Sequence, residues 1–108
     1  MYSVRPARSF EKDTELLLKK YASLKQELAN LGRELANNPT LGTSLGKDCY
    51  KIRLAIKSKG KGKSGGARVV TYVITDNSEI ILLTIYDKQS KADLGPNELD
   101  ILLRDFDN

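Results

Sequence analysis

Basic side chains recur at alternate positions of one apolar segment, residues 50–57. Apolar side chains at positions 50, 52, 54 and 56 alternate there with Lys51, Arg53, Ala55 and Lys57. Alternate residues of a β-strand point to opposite faces, so the segment predicts a strand with a row of two or three cations on one face. Clustered cations of this kind attract phosphate groups. The competing interpretation is that Lys51 and Arg53 are solvated residues of an exposed strand face.

A loop of ten residues, KSKGKGKSGG at positions 57–66, follows this strand. A hairpin connection commonly needs about two to five residues, so the greater length is typical of a functional loop. The glycines allow backbone N–H groups to approach phosphate oxygens closely. The lysines predict electrostatic contacts to a nucleic-acid backbone, without base preference, from Lys57, Lys59, Lys61 and Lys63. A solvated, lysine-rich loop without a ligand stays open as the alternative.

Two nucleotide-binding patterns occur in this loop, and neither fits its context. Positions 60–65 satisfy G-x-G-x-x-G, and positions 62–64 resemble the end of a Walker A loop. Both motifs must lead into a helix, whereas the β-rich segment that contains Arg68 follows here. A dinucleotide-binding domain and a nucleotide triphosphatase are therefore disfavoured.

The positive charge is concentrated in one part of the chain. Residues 47–68 contain eight basic residues and one acidic residue, which gives +7, so the remainder carries −3 of the formal net charge of +4. A basic segment on an otherwise mildly acidic chain favours an anionic partner, because clustered cations bind phosphates and release their counterions.

The residue types also exclude several kinds of chemistry. There is no His, and Cys49 is the single cysteine, so a Cys/His zinc site, a His general base and an intramolecular disulfide are impossible. Cys49 is interpreted as a small buried hydrophobe, and no metal or cofactor is expected. The 108 residues suit one domain, residues 1–108. No apolar run approaches the roughly 20 residues of a membrane helix, and residues 1–10 are too polar for a signal peptide, so a cytoplasmic protein is expected.

Two helices are predicted before the basic strand. Positions 9–37 contain no Pro, and their apolar residues recur at spacings of three, four or seven, which is typical of a helical stripe. Ser9 could cap the start, and Ser23 with Gln26 forms a capping-box pattern that predicts a break near Ala22. One long helix is the alternative. Core packing is favoured over a coiled-coil seam, because the stripe covers only about four heptads.

The rest of the chain predicts the sheet. Residues 67–75 and 79–86 are rich in Val, Ile, Thr and Tyr and flank a turn at 76–78, so they predict a hairpin of central strands. Residues 2–5 predict an edge strand, residues 40–49 an irregular loop, and the Gly-Pro pair at 95–96 the start of a short C-terminal helix. Together these elements predict an α+β fold, in which a small twisted, mostly antiparallel sheet of about four strands packs on the helical pair, in the order βααβββα.

Three stretches in combination resemble the RelE/HigB group of toxins of type II toxin–antitoxin systems, within the RelE/ParE superfamily. They are DCYKIRLAI at 48–56, GKGKSGGARVVTYVI at 60–74 and LLTIYDK at 82–88, and the helical half matches in its order. The resemblance implies the fold of small microbial ribonucleases. It also implies an mRNA interferase, commonly active in the ribosomal A site, that inhibits translation until a cognate antitoxin protein neutralises it.

The resemblance assigns roles to the basic residues. Cleavage of RNA by its own 2′-hydroxyl needs a base, cations that stabilise the phosphorane-like transition state and an acid for the leaving 5′-oxygen, and it needs no metal. Lys51 matches the lysine of the family's YKI motif and is implied as the base or a proton shuttle, since crowded cations can lower a lysine pKa. Arg53 and Arg68 match the family's other basic positions and would clamp the phosphate, because guanidinium groups bind oxygens in pairs.

The end of the last strand supplies further candidates. Tyr86 could stack on an mRNA base, and Lys88 could protonate or neutralise the leaving oxygen. The arginine expected near Lys88 is replaced by that lysine or by Gln89, and the family's C-terminal tyrosine has no counterpart. Other branches use a His and an acidic residue at this strand end, of which only Asp87 is present, so the identity of the general acid stays open. Ordinary strand packing is the alternative for Arg68 and Tyr86.

A ribosome-dependent, metal-independent endoribonuclease toxin is the leading functional prediction, with mRNA and a cognate antitoxin as partners and no membrane. Its rival is an RNA-binding or antitoxin-binding module on the same fold that has lost cleavage. A DNA-binding regulator is disfavoured, because the basic cluster lies on predicted strands and a loop and on no predicted helix.

Overall fold

Helices and strands follow one another in the order βααββββα over residues 1–59 and 65–107, the part of the chain that this computed structural model describes. The helices are α1 (Arg8–Lys20), α2 (Leu24–Asn37) and α3 (Glu98–Asp105). The strands are β1 (Ser3–Pro6), β2 (Thr43–Gly46), β3 (Cys49–Leu54), β4 (Ala67–Ile74) and β5 (Glu79–Asp87). The α+β class predicted from the sequence is confirmed.

The helical segment divides into two helices, as the sequence predicts. The backbone of Tyr21 is extended, with φ −126° and ψ 108°, and this ends α1. The capping differs from the prediction. Ala7 is the N-cap of α1, and the Ser9 hydroxyl instead donates to the carbonyl of Leu83 at 2.6 Å. Ser23 is the N-cap of α2, but its hydroxyl contacts Glu27 and the Ser58 hydroxyl and does not cap the helix.

The five strands form one mixed sheet in the order β1-β5-β4-β3-β2. The predicted hairpin is present: β4 and β5 are antiparallel central strands joined by a turn in which Ser78 has φ +50°. Strand β1 lies at the edge, as predicted, and pairs in parallel with β5. The other three pairs are antiparallel, so the sheet is mostly antiparallel.

The segment predicted as an irregular loop contains an additional strand. Residues Thr43–Gly46 form β2, which pairs with the start of β3. Gly42 allows this approach: its φ is +104°, and a Cβ there would lie 2.5 Å from the Lys51 carbonyl oxygen. The sheet therefore has one strand more than predicted. Strand β3 also ends earlier than predicted, at Leu54, so Lys57 lies outside it.

Each face of the sheet covers an apolar core. The core under α1 and α2 contains fully buried side chains such as Leu24, Leu35 and Ile80. A second core lies towards α3, where Phe106 meets Tyr72 edge to face with ring centroids 5.5 Å apart. Cys49 is fully buried in this second core, and burial raises its pKa to about 11, in keeping with the structural role expected of it. Within the described residues, no helix is long and apolar enough to cross a membrane.

Candidate nucleic-acid interface

Three predicted site residues lie in register across three neighbouring strands. Arg53 on β3 is paired with Arg68 on β4, and Arg68 is paired with Tyr86 on β5. Residues directly opposite in antiparallel strands project from the same face, with Cβ atoms about 4.5–5.5 Å apart. Lys51 lies on that face too, two residues before Arg53 and opposite Val70. We call Lys51, Arg53, Arg68 and Tyr86 the basic face.

The two arginines of the basic face differ in exposure. The side chain of Arg53 is exposed, whereas Arg68 is only 5% exposed and its Nη1 donates to the Ala67 carbonyl at 3.2 Å. Like charges directly opposite each other destabilise a sheet. An anion bound at the pair would offset that repulsion, because each guanidinium presents a planar fork of N–H donors that matches phosphate oxygens.

A carboxylate that the sequence reasoning missed also lies at the basic face. One oxygen of Asp93, Oδ1, accepts hydrogen bonds from Lys51 Nζ at 3.3 Å, from the Tyr86 hydroxyl at 3.3 Å and from the Leu94 N–H at 2.9 Å. The Leu94 N–H and the Lys51 ammonium lower the pKa of Asp93. Asp93 follows the last strand within a polar connection whose course no periodic pattern specifies, so no sequence signal marks its position.

The ring of Tyr86 is covered. Tyr86 is only 7% exposed, and Lys91 Nζ lies 5.4 Å from the centroid of its ring. Burial, together with the negative charge of Asp93, raises the pKa of Tyr86 to about 12, so the hydroxyl is a donor at neutral pH. The predicted stacking on an mRNA base does not fit this covered position. It requires the connection that carries Lys91 and Asp93 to move.

Lys88 lies just beyond β5, at the start of this connection. Its Nζ donates to the Ala92 carbonyl at 3.1 Å, and its backbone N–H donates to the Gly66 carbonyl at 3.1 Å. We call residues 88–97, which join β5 to α3, the strap. The structure thus places Lys88 on the strap, beside the segment that carries Asp93.

The loop lysines separate into different environments. Lys57 is exposed in a 3₁₀ turn, Lys57–Lys59, that is tied to α2 by a 2.7 Å hydrogen bond from the Lys57 N–H to Glu27. Lys59 departs from the prediction of an exposed RNA contact: its side chain is 5% exposed, and its Nζ lies 2.6 Å from Asp87 Oδ1. Lys61 and Lys63 lie outside the described residues.

Asp87 organises a buried polar cluster on the helical side of the sheet. Besides Lys59, it accepts a 2.5 Å hydrogen bond from the Tyr21 hydroxyl and lies 3.8 Å from Lys20 Nζ. Burial alone would raise the pKa of Asp87, but the hydrogen bonds from Lys59 and Tyr21 lower it to about 2. Asp87 therefore packs away from the basic face, and the acidic partner suggested by the family resemblance does not lie there.

A groove of about 450 Å³ lies between α2 and β3, beside the basic face. Its walls include the carboxylates Glu27 and Glu34, and also the cations Lys51, Arg53 and Lys57. Because charges of both signs line this groove, we place the candidate interface on the basic face, where Arg53, Arg68 and Lys51 lie together. Among the described residues, no three His, Cys, Asp or Glu side chains converge as metal ligands.

Comparison with known proteins bears on the fold. No family model matches the sequence. A structure of the isolated toxin RelE from E. coli is similar over 96% of this chain and 98% of that chain, with a TM-score of 0.57 and 19% identity. A RelE variant from E. coli with two arginines replaced by alanine, in the free state, is similar over 97% of this chain and 93% of that chain, with a TM-score of 0.56 and 18% identity. The chain has the RelE fold.

The RelE fold agrees with the family resemblance found in the sequence. At 18–19% identity the likeness concerns the course of the backbone and does not identify chemistry. The function must therefore be argued from the side chains of the basic face.

Proposed function

We propose that this protein is an endoribonuclease toxin that cleaves mRNA without a metal ion, on the ribosome, and that a cognate antitoxin neutralises it. The observation that carries the proposal is the register of Arg53, Arg68 and Tyr86 across three strands, with Lys51 on the same face. Four groups able to donate hydrogen bonds converge there on a RelE-like sheet. That arrangement suits a phosphodiester better than a neutral ligand.

The proposed reaction is an internal transfer within RNA. The 2′-oxygen attacks the adjacent phosphorus, and its proton passes to Lys51 as the proposed general base. Arg53 and Arg68 hold the non-bridging oxygens and stabilise the charge that develops on them. The bond to the 5′-oxygen then breaks, and Lys88 protonates or neutralises that oxygen. The products are a 2′,3′-cyclic phosphate and a free 5′-hydroxyl.

The ribosome and the antitoxin enter as proposed partners. The basic face is a surface of a small sheet, and the neighbouring groove carries carboxylates as well as cations, so the chain offers few contacts that could fix an RNA by itself. Substrate positioning by the ribosome would supply the missing orientation, which is a large part of catalysis. An antitoxin would act by covering the cations. Both partners place the proposed activity in the cytoplasm.

The test is to express the protein from a tightly controlled promoter and to map cuts in translated mRNA by primer extension. Wild-type protein is expected to arrest growth and to produce stops at discrete sites, whereas Lys51→Ala/Arg68→Ala is expected to do neither. Lys12→Ala, at an exposed position of α1, is the control and should cut like the wild type. Cutting by the double variant at the wild-type level would refute the site assignment. Wild-type protein that binds RNA without cuts or growth arrest would favour the binding module.

A further inference from the structure

The strap places two of its side chains on groups of the basic face. Asp93 accepts hydrogen bonds from Lys51 and Tyr86, each at 3.3 Å. Lys91 lies over the ring of Tyr86, at 5.4 Å from the centroid. Two side chains of the strap therefore contact residues to which the proposed function gives a role in RNA binding or cleavage.

The contact through Asp93 has the chemistry of a bound phosphate oxygen. A single anionic oxygen receives an ammonium, a phenol hydroxyl and a backbone N–H. A non-bridging phosphodiester oxygen carries the same sign of charge and accepts hydrogen bonds from the same donors. The two anions therefore compete for Lys51, because one ammonium cannot face both without bringing two negative charges together.

The contact through Lys91 explains why the aromatic ring is covered. Lys91 Nζ is also paired with the Glu98 carboxylate, whose other oxygen accepts the Gly95 N–H at 2.8 Å. Because Glu98 is the first residue of α3, this ion pair ties the strap to the start of that helix. Tyr86 is 7% exposed under this cover, too little for a base to stack on it.

We propose that the strap is an autoinhibitory cover, in which the Asp93 carboxylate occupies the place of an RNA phosphate oxygen until RNA displaces it. The inference rests on the proposed function, since it takes RNA as the ligand of the basic face. The contact of Asp93 with Lys51 is weak: the side chain of Asp93 is 63% exposed, and exposed ion pairs contribute little to stability. RNA can therefore displace the carboxylate without unfolding the sheet.

The test measures RNA binding without cleavage. The probe is a fluorescent 2′-O-methyl RNA oligonucleotide, which lacks the attacking hydroxyl, and fluorescence anisotropy gives its Kd. Asp93→Asn is expected to bind the RNA about fivefold more tightly than the wild type. This ratio of Kd values corresponds to the free energy of one exposed ion pair, which RNA no longer has to break. Asp76→Asn is the matched control, because it makes the same change of net charge on an exposed residue of the β4–β5 turn.

A double-mutant cycle isolates the proposed contact. If Asp93 acts by occupying Lys51, the gain from Asp93→Asn disappears in a Lys51→Met background. Equal Kd values for Asp93→Asn and Asp76→Asn would overturn the inference, and so would weaker binding by Asp93→Asn with an unchanged Tm. A gain that persists in the Lys51→Met background would overturn it as well. Absence of RNA binding by the wild type and by Asp93→Asn alike would overturn this inference, whereas the proposed function is refuted separately, by absence of cuts in translated mRNA.

Discussion

Arg53 and Arg68 face each other across β3 and β4, and the two guanidinium groups are held very differently. Arg68 is almost completely buried and therefore has few alternative conformations, while Arg53 extends into solvent. A buried, preoriented donor loses little conformational entropy when it binds a phosphate, whereas an exposed one must be ordered. At the residue scale, Arg68 is thus the fixed part of the proposed phosphate clamp, and because it is only 5% exposed it can contact a phosphate only after the groups that cover it move.

Because the two arginines are held differently, replacing each with lysine is expected to lower the cleavage rate unequally. Lysine keeps the positive charge but lacks the planar guanidinium group. Arg68→Lys is expected to lower the cleavage rate by about tenfold or more, because an ammonium cannot make paired hydrogen bonds to two phosphate oxygens. Arg53→Lys is expected to have the smaller effect. Single-turnover cleavage of translated mRNA measures both rates. A larger loss for Arg53→Lys than for Arg68→Lys would contradict the assignment of Arg68 as the fixed part of the clamp.

The buried pair of Asp87 and Lys59 predicts a pH-dependent stability. Because the pKa of Asp87 is lowered to about 2 from the ordinary value of 3.8, its ionised form stabilises the fold above that ordinary value, and this contribution is lost as the pH falls towards 2. Asp87→Asn leaves Lys59 buried without its partner and is expected to lower the free energy of unfolding by about 3 kcal/mol at pH 7.

Urea unfolding at several pH values checks this prediction. The difference between Asp87→Asn and the wild type should be constant at neutral pH and should narrow between about pH 4 and pH 2. Asp76→Asn, which alters an exposed carboxylate, should change little at any pH. A difference that stays constant down to pH 2 would show that Asp87 does not act through its ionised form.

At the element scale, the sequence predicted those strands and helices whose formation depends on the pattern of neighbouring residues. Strands β3, β4 and β5 follow from alternation and β-branched residues, and the break between the helices was predicted from the capping-box pattern at Ser23 and Gln26, although the Ser23 hydroxyl does not cap α2. Strand β2 could not be predicted, because its short polar sequence, flanked by Gly42 and ending in Gly46, has the composition of a loop and becomes a strand only by pairing with β3. Asp93 and the burial of Lys59 depend on the paths of connections, which no residue pattern specifies.

Replacement of glycine by alanine is expected to have opposite effects on stability at Gly42, which allows β2 to pair with β3, and at Gly32, which lies inside α2. Gly42→Ala is expected to destabilise the protein by about 1–3 kcal/mol, because Gly42 has φ +104° and the new Cβ would lie 2.5 Å from the Lys51 carbonyl oxygen. Gly32→Ala, inside α2 with nothing within 4 Å of its Cβ, is expected to stabilise by about 0.5–1 kcal/mol. Thermal unfolding of the two variants measures both signs. A stable Gly42→Ala variant would show that β2 does not depend on this close approach.

For the whole molecule, the fold determines how much of the local charge is available to RNA. Residues 47–68 carry +7, but Lys59 is paired with Asp87 and Lys47 is paired with Asp100 of α3. Arg53 and Lys57 are exposed, and the structure shows no ion pair between their side chains and any residue that it describes. The attraction for a nucleic-acid backbone is therefore weaker than the sequence count suggests, and it is centred on β3.

The salt dependence of RNA binding tests this distribution of charge. For single-stranded RNA, each lysine that neutralises a phosphate steepens the plot of log K against log salt concentration by about 0.7. Lys57→Met is expected to reduce the slope by that amount. Lys12→Met should leave the slope unchanged, because Lys12 lies on α1, which packs on β5, two strands away from β3. Lys59→Met/Asp87→Asn removes both charges of the buried pair and should also leave the slope unchanged, because the Lys59 charge is already neutralised within the fold. A slope reduced by the Lys59→Met/Asp87→Asn variant as much as by Lys57→Met would mean that Lys59 leaves Asp87 and binds a phosphate when RNA is present.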